Sequence, residues 1–460
     1  MATTFNPMRP KVNRSDCPIL RLPNEILSDI LRRVIDMECD DTFDLNARPR
    51  TAVRLSNTNR YIRNILIPEI YSVFHIYHAP EVAIQQNENL RKSMSRVHEI
   101  LRDNPELGRH CKTLRVTLDE PTYLWSTLAY PIIPESLFAV RGWLQNTRHL
   151  VIDGINDTNY IGFNHHVIAI IHNALKSFPG LTTLSMRGDG ILLHEVLEGM
   201  RDVGECHSLS TLILDEVAPY GEDEEWDDGL REVQGTAPMQ KLEFNRFDLP
   251  PKALEVLVRW PKELHSLSVR PSESQIQDDV WHWGSLQPIL ETQMANLREL
   301  NLYGLMLDRN LEILDLTGFT MLERLSLPAT LTGFNMRDVP RILAPNLRFF
   351  EWQVSLAGYY DLFSVEHYNW VLGMVELAAQ QQQKLKTIFV AVDCSNWYDL
   401  LDLNSDYPWD ALKSVDMNSK RFGIRVRYDE PAISREDFEA RMAELEEEER
   451  MEKRMDWTWG

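Results

Sequence analysis

Cysteine is scarce in this chain of 460 residues, and the five that occur lie far apart in the sequence. An odd number of scattered cysteines without close pairs predicts a reducing compartment rather than a disulfide framework. Positively charged residues are also few: the chain has 48 Lys and Arg but 69 Asp and Glu, which gives a net charge of −21. This balance argues against nucleic acid as a main partner, because phosphate binding needs a basic footprint.

Long apolar runs are missing as well. No segment approaches the roughly 18 apolar residues of a spanning helix. The first 16 residues, MATTFNPMRPKVNRSD, have no apolar core of signal-peptide length and are predicted to be flexible. We therefore expect a soluble cytoplasmic or nuclear protein with no membrane partner.

No pattern of catalytic or metal-binding residues in the sequence is stronger than expected by chance. His165 and His166 point in different directions on a helix and have no cysteine or carboxylate pair at ligand spacing. Cys111 follows His110, but sequence neighbours seldom form a nucleophile–base pair, so an inert cysteine is favoured. Residues 188–190 (GDG) lack the other glycines of a phosphate-binding loop and predict a turn. The sequence thus predicts no enzyme, no cofactor and no metal site.

A short leucine pattern, L-x-x-L-x-L, recurs along the chain. In residues 297–302 (LRELNL), Leu300 and Leu302 suit a strand with one buried face, while Glu299 and Asn301 point the other way. Seven further copies start 25–38 residues apart, near or above the spacing of leucine-rich repeats. They begin at Leu181, Leu209, Met239, Leu264, Leu322, Leu347 and Leu385, with a looser copy at 412–417 and two upstream candidates ending at Val116 and Ile152.

Helical patterns lie between these copies, over residues 164–178, 192–200, 254–258 and 371–378. Alternation of strand and helix predicts parallel strands with helical crossovers, and repetition of one unit favours a solenoid over a closed barrel. We therefore predict an α/β fold whose residues 106–430 form an irregular leucine-rich-repeat solenoid with parallel strands. One buried row should contain the equivalent leucines Leu184, Leu212, Leu267, Leu300 and Leu325.

Residues 17–76 carry a different, purely helical pattern. Leu22 and Pro23 precede an apolar face containing Ile26, Leu27 and Ile30. A second helical pattern runs from about residue 51 to 57, and a third ends at the proline at position 68. Residues 77–105 then predict a linker helix.

These N-terminal residues bear a family resemblance. Residues 20–34 (LRLPNEILSDILRRV) are similar to the start of an F-box, and residues 55–71 (LSNTNRYIRNILIPEIY) resemble its end. The phrase at 104–118 (NPELGRHCKTLRVTL) resembles a junction seen in fungal F-box proteins. Two departures are a connection over 36–49 longer than usual and Tyr71 where many members have Trp.

The resemblance implies a substrate-recognition subunit of an SCF-type ubiquitin ligase, in which the F-box docks a Skp-type adaptor of a cullin-RING ligase and the repeats capture a target protein. The adaptor contacts implied by the family are Leu22, Pro23, Ile26, Leu27, Ile30, Leu55 and Ile62. Two alternatives stay open. The apolar face could only pack against the following repeats, or the chain could be a leucine-rich-repeat scaffold that engages no ligase.

The polar face of the repeat strands is the candidate target surface. The residue after each hexad shares a face with the polar residues inside it, because side chains alternate along a strand. Arg270 and Tyr303 are the strongest anchors by residue type. The predicted target contacts are Arg187, Asp215, Asn245, Arg270, Asn301, Tyr303, Glu351 and Gln353. A solvated sheet face without a partner is the alternative.

Three segments complete the predictions. Residues 222–228 (EDEEWDD) favour an exposed acidic loop over a cation site, and residues 281–283 (WHW) suit an aromatic contact or core packing equally. In the tail, residues 431–460, Ser434 and Asp437 have the spacing of a capping box that opens an acidic helix. This helix could cover the open end of the last repeat.

Overall fold

The computed structural model describes residues 18–38, 47–78, 99–118, 142–156, 164–201, 208–218, 234–272, 281, 283–303, 313–332, 335–355, 365–393, 407–431 and 433–456. Its twelve strands follow one another in the sheet in chain order. They are β1 (Val73–His78), β2 (Thr113–Leu118), β3 (His149–Asn156), β4 (Thr183–Leu192), β5 (Thr211–Ala218), β6 (Lys241–Phe247), β7 (Ser266–Pro271), β8 (Glu299–Leu302), β9 (Arg324–Pro328), β10 (Phe349–Ser355), β11 (Thr387–Asp393) and β12 (Arg425–Tyr428).

Helices alternate with most of these strands, as the sequence predicts. They are α1 (Asn24–Glu38), α2 (Ala47–Ser56), α3 (Arg60–Ile70), α4 (Asn164–Ser177), α5 (Leu193–Arg201), α6 (Pro251–Arg259), α7 (Trp283–Glu291), α8 (Val339–Ile342), α9 (Val365–Gln380), α10 (Pro408–Ser419) and α11 (Arg435–Asp456). The parallel, chain-order sheet with interspersed helices confirms the α/β class with parallel strands. Within the described residues, no helix combines the length and apolarity needed to cross a bilayer.

The chain divides into two compact units. Unit 1 contains Met1–Ser185 and Gly199–Ser208, and unit 2 contains Met186–Glu198 and Leu209–Gly460. Unit 1 therefore holds α1–α3 together with β1–β3, whereas the sequence placed a boundary at residue 105. Of the predicted linker helix, residues 77–78 belong to β1 and residues 99–103 are helical.

Helices α1–α3 form the N-terminal module, which has its own small core. Leu20, Leu27, Leu31 and Leu66 are among its fully buried side chains. The Asn59 side chain caps α3 by accepting a hydrogen bond from the Tyr61 backbone N–H at 2.7 Å.

Two boundaries of the module differ from the prediction. Helix α3 continues through Pro68 to Ile70 rather than stopping before the proline. A proline so close to the helix end removes only one hydrogen bond, and burial of Leu66 and Glu69 holds this turn in place. Residues 73–78, predicted as the close of the helical module and the start of the linker, form β1, which pairs in parallel with β2.

The buried leucine row is confirmed in unit 2. Leu212, Leu242, Leu267, Leu300 and Leu325 are paired from strand to strand and are each 0% exposed. Phe350, Ile388 and Val426 continue the row across β10–β12. Leu184 on β4 is also fully buried. A second buried row, two residues further along these strands, contains Leu214, Phe244, Val269 and Leu302.

One predicted repeat and one predicted turn are wrong. Residues 412–417 lie within helix α10, where Leu412 and Val415 are buried three positions apart on one face. The last strand is β12, reached after Gly423 turns the chain with a φ of 73°. Residues 188–190 continue strand β4 and do not form a turn.

The predicted Ser434 cap of the C-terminal helix is confirmed. The Ser434 hydroxyl accepts the Asp437 backbone N–H at 3.1 Å and donates to the Asp437 carboxylate at 2.6 Å. Phe438 on α11 then packs edge-on against Tyr407, with ring centroids 5.4 Å apart. The first turn of α11 is thus fixed next to the start of α10. The predicted acidic loop at 222–228 lies outside the described residues.

Candidate functional site

The N-terminal module presents apolar side chains to solvent. Ile26 is 50% exposed and Val53 is 42% exposed, and Ile19 in the preceding turn is 41% exposed. Pro23 is also exposed, while Leu22 and Ile30 are half-buried. Single apolar side chains are common on protein surfaces, whereas a contiguous patch of them marks an interaction site. The exposed side chains of the module are therefore the candidates for a docking surface.

The predicted adaptor contacts do not all reach this surface. Leu27 is 0% exposed and belongs to the module's own core, so its role as a contact is corrected. It occupies the inner face of α1, one position after Ile26, which points outward. Leu55 and Ile62 are half-buried against the same core. Ile19 and Val53, which the family pattern did not single out, are exposed on the module.

A polar groove lies between α1 and α3 of the module. Its volume is about 780 Å³, and Asn24, Glu25, Asp29 and Arg32 line the α1 side. On the α3 side, the Tyr61 hydroxyl donates a hydrogen bond to Asn24. This hydrogen bond joins the two sides of the groove and links α1 to α3.

A buried carboxylate anchors the same helix pair. Glu69 of α3 is 6% exposed, and its carboxylate lies 3.3 Å from the Arg32 guanidinium of α1. A buried charge left without its partner is costly, so this ion pair holds α1 in one orientation on α3. The apolar surface on α1 is thereby presented in a fixed direction.

The polar face of unit 2 brings together several of the predicted target contacts. Glu243, Ser268, Asn301, Ser326 and Glu351 pair in register across β6–β10. They form one row, as expected if equivalent positions of successive repeats align. The two serines are buried between their longer neighbours.

Tyr303 lies at the centre of a small polar cluster on this face. Its side chain is half-buried and hydrogen-bonds to Ser326. Burial, followed by the nearby Glu351, raises the pKa of the Tyr303 phenol, so the hydroxyl remains protonated. Gln353 donates to the Ser326 hydroxyl at 2.6 Å. Tyr303, Glu351 and Gln353 thus meet around Ser326, which the sequence prediction did not include among the contacts.

The remaining predicted contacts are dispersed. Asp215 and Asn245 pair in register between β5 and β6, but the register shifts between Phe244 and Phe247, so Asn245 has no such partner on β7. Arg246, which has a φ of 50°, binds Asp215 at 3.3 Å. Arg270 is exposed at the end of β7, and Arg187 on β4 is half-buried.

On one face of the strands of unit 1, polar side chains bind one another. Arg115 forms an ion pair with the buried Asp153, and His75 Nε2 lies 2.7 Å from the Thr117 hydroxyl. Burial, followed by the charge of Arg115, lowers the pKa of His75, which favours its neutral form. These contacts leave the polar side chains of this face bound mainly to one another.

Two residues that the sequence analysis considered as candidates for chemistry or binding, Cys111 and Trp281, have structural roles. Cys111 is fully buried, and burial raises the pKa of its thiol to about 11, so it is protonated and inert. Trp281 is buried and donates to the Leu249 carbonyl at 3.1 Å, which favours core packing for this residue. No group of three potential metal ligands occurs among the residues that the structure covers.

A scan of the sequence against protein-family models finds no match, and a search of curated proteins finds none either.

Proposed function

We propose that this chain is a non-catalytic substrate-recognition subunit of an SCF-type E3 ubiquitin ligase. The N-terminal module would dock a Skp-type adaptor, and the strands of unit 2 would hold the target protein. The mechanism is positional: holding a target next to the transferring enzyme raises its effective concentration. A cytoplasmic or nuclear location accompanies this proposal.

The exposed apolar surface of the module carries the proposal. Ile26 and Val53 are large aliphatic side chains left in solvent on a module whose core is already complete. Burying such side chains against a partner contributes about 1.5–3 kcal/mol each. The sequence resemblance supplies the class of partner, and the exposure of Pro23 and Ile26 supports two of the contacts that it implies.

The target half of the proposal is supported by the Tyr303 cluster. Tyrosine, amide and carboxylate groups converge there on one sheet face, and aromatic and guanidinium groups are enriched among binding hot spots. The cluster combines an apolar ring with hydrogen-bonding groups that are already positioned.

Replacing Ile26 by aspartate is expected to reduce capture of a Skp-type adaptor by at least about tenfold. The charged side chain would have to be desolvated at the centre of the interface, and an apolar contact would be lost. Copurification of the full chain with a recombinant adaptor measures the effect. Met417→Asp is the matched control, because Met417 is 59% exposed on α10 of unit 2. Unchanged capture by Ile26→Asp contradicts this docking surface, and no capture by the wild type favours a scaffold without a ligase.

Replacing Arg270 and Tyr303 together by alanine is expected to reduce target recovery by more than about tenfold while adaptor capture is retained. The double change removes the two strongest anchors without entering the buried leucine row. Quantitative cross-linked purification of the full chain compares its partner profile with that of the wild type. Arg337→Ala, at an exposed position of unit 2 away from these strands, is the control. An unaltered profile in the double variant moves the target site elsewhere.

A further inference from the structure

The residues that directly precede the strands of unit 2 stack on one another. Their backbone N–H groups donate to the carbonyl of the equivalent residue one repeat earlier: Glu323 to Arg298 at 2.8 Å, Arg348 to Glu323 at 2.9 Å, and Lys386 to Arg348 at 2.9 Å. Arg425, the first residue of β12, donates to Lys386 at 3.0 Å, as the first residues of β9, β10 and β11 do to Arg298, Glu323 and Arg348. Because the strands are parallel, this column lies along the amino ends of β8–β12.

This edge of the sheet is positively charged in a strongly acidic chain. We define the basic band as the exposed Lys and Arg at and just before the first residues of β8–β12: Arg298, Arg324, Arg348, Lys384, Lys386, Arg425 and Arg427. The band contains seven cations and three carboxylates, those of Glu299, Glu323 and Glu351, whereas the whole chain has a net charge of −21. The band therefore reverses the sign of charge of the rest of the molecule.

The carboxylates in the band neutralise it only in part. Arg324 lies 3.5 Å from Glu299, and Arg348 lies 3.7 Å from Glu323. These pairs are solvent-exposed and long, so each contributes little. Neighbouring strands are about 4.8 Å apart, which brings the remaining cations close enough to act on one ligand.

Aromatic rings lie among the cations. The Arg324 guanidinium sits 4.5 Å above the centroid of the half-buried Phe349 ring, which restricts its orientation. Phe389 on β11 pairs in register with Glu351 on β10 and Arg427 on β12. The surface can thus contact both charged and apolar parts of a ligand.

We propose that the basic band binds an acidic peptide segment of a partner protein. Its five strands span about 19 Å, the length of roughly six extended residues. The three glutamates within the band would repel a uniformly charged phosphate backbone, whereas a peptide can place neutral or apolar residues opposite them. This argues for a peptide and against nucleic acid. The inference does not depend on the adaptor contact of the N-terminal module.

A fluorescein-labelled decapeptide in which glutamates alternate with alanines tests the inference by fluorescence anisotropy with the full-length protein. We expect saturable binding that weakens as salt is raised, and no binding of the equivalent glutamine decapeptide. Arg348→Glu with Lys386→Glu should weaken glutamate-peptide binding by about tenfold or more. The matched control is Lys252→Glu with Lys413→Glu, which makes the same change of charge at exposed positions on helices α6 and α10.

Three results would overturn the inference: no binding of the glutamate peptide to the wild type, equal losses in the band variant and the control, or tighter binding of a single-stranded DNA 20-mer than of the peptide. Circular dichroism melting of both double variants shows that the comparison is between folded proteins. Adaptor capture by the band variant is measured in parallel and should equal that of the wild type. A failure of the peptide test is thereby separate from a failure of the proposed adaptor docking.

Discussion

Replacing Leu300 by alanine is expected to lower the free energy of unfolding by about 2–5 kcal/mol. Leu300 is 0% exposed and lies in register between Leu267 of β7 and Leu325 of β9. Truncation removes buried apolar surface and leaves a cavity between two repeats that cannot close without moving both strands. Because each repeat is stabilised mainly by its neighbours, the damage should spread along unit 2.

Urea unfolding monitored by tryptophan fluorescence measures the loss, and limited proteolysis shows whether the neighbouring repeats open. Val365→Ala is the matched control, since Val365 is 70% exposed at the start of α9 and its truncation makes no cavity. If Leu300→Ala unfolds at the same urea concentration as the wild type, the leucine row does not hold the repeats together.

Acidification is expected to destabilise unit 2 through His367. This side chain of α9 is 4% exposed and lies 5.5 Å from the Trp352 ring, centroid to centroid. Trp352 in turn stacks on Trp370 at 4.9 Å. Burial among such neighbours opposes a charged imidazolium and lowers the pKa of His367 to about 4.

The direction of the pH effect follows from this lowered pKa. The unfolded chain binds a proton on His367 near pH 6.5, while the folded protein binds it only near pH 4. The stability linked to this group is therefore complete above pH 6.5 and is lost as the pH falls from 6.5 to about 4. The loss amounts to about 3 kcal/mol, since each pKa unit corresponds to roughly 1.4 kcal/mol.

His367→Gln should remove this part of the pH dependence while keeping a polar side chain of similar size. The measurement is the difference in unfolding free energy between wild type and variant at pH 7 and at pH 4, which subtracts the shared effect of the carboxylates. His265→Gln, at a half-buried position of the same unit, is the control. Equal slopes for wild type and His367→Gln would show that this histidine does not resist protonation.

The sequence predicted the strands of unit 2 well because their signal is local. Leucines at alternate positions, such as Leu300 and Leu302, point to the same side of a strand and are buried there. The buried face of each strand could therefore be predicted without knowing which strands lie next to it. The same reasoning placed the polar row containing Asn301 and Glu351 on the opposite face.

The incorrect or missing predictions also have physical causes. In residues 412–417, Leu412 and Val415 fit both a loose leucine repeat and a helix, and Pro408 at the helix start favoured the helix. In the N-terminal module, Ile26 and Leu27 are chemically alike neighbours on α1, and only packing against α2 and α3 shows which one is buried. The convergence of Tyr303 and Gln353 on Ser326 depends on strand register, which no single repeat contains.

The chain-order pairing of strands in unit 2 affects how this unit is made. From β5 to β12, each strand pairs with the strand that was synthesised immediately before it. Every new pairing closes a loop of only one repeat, so no strand waits for a distant partner and each closure has a similar, modest entropic cost. The unit can therefore grow on the ribosome one strand at a time, with its most recently synthesised edge serving as the template for the next repeat.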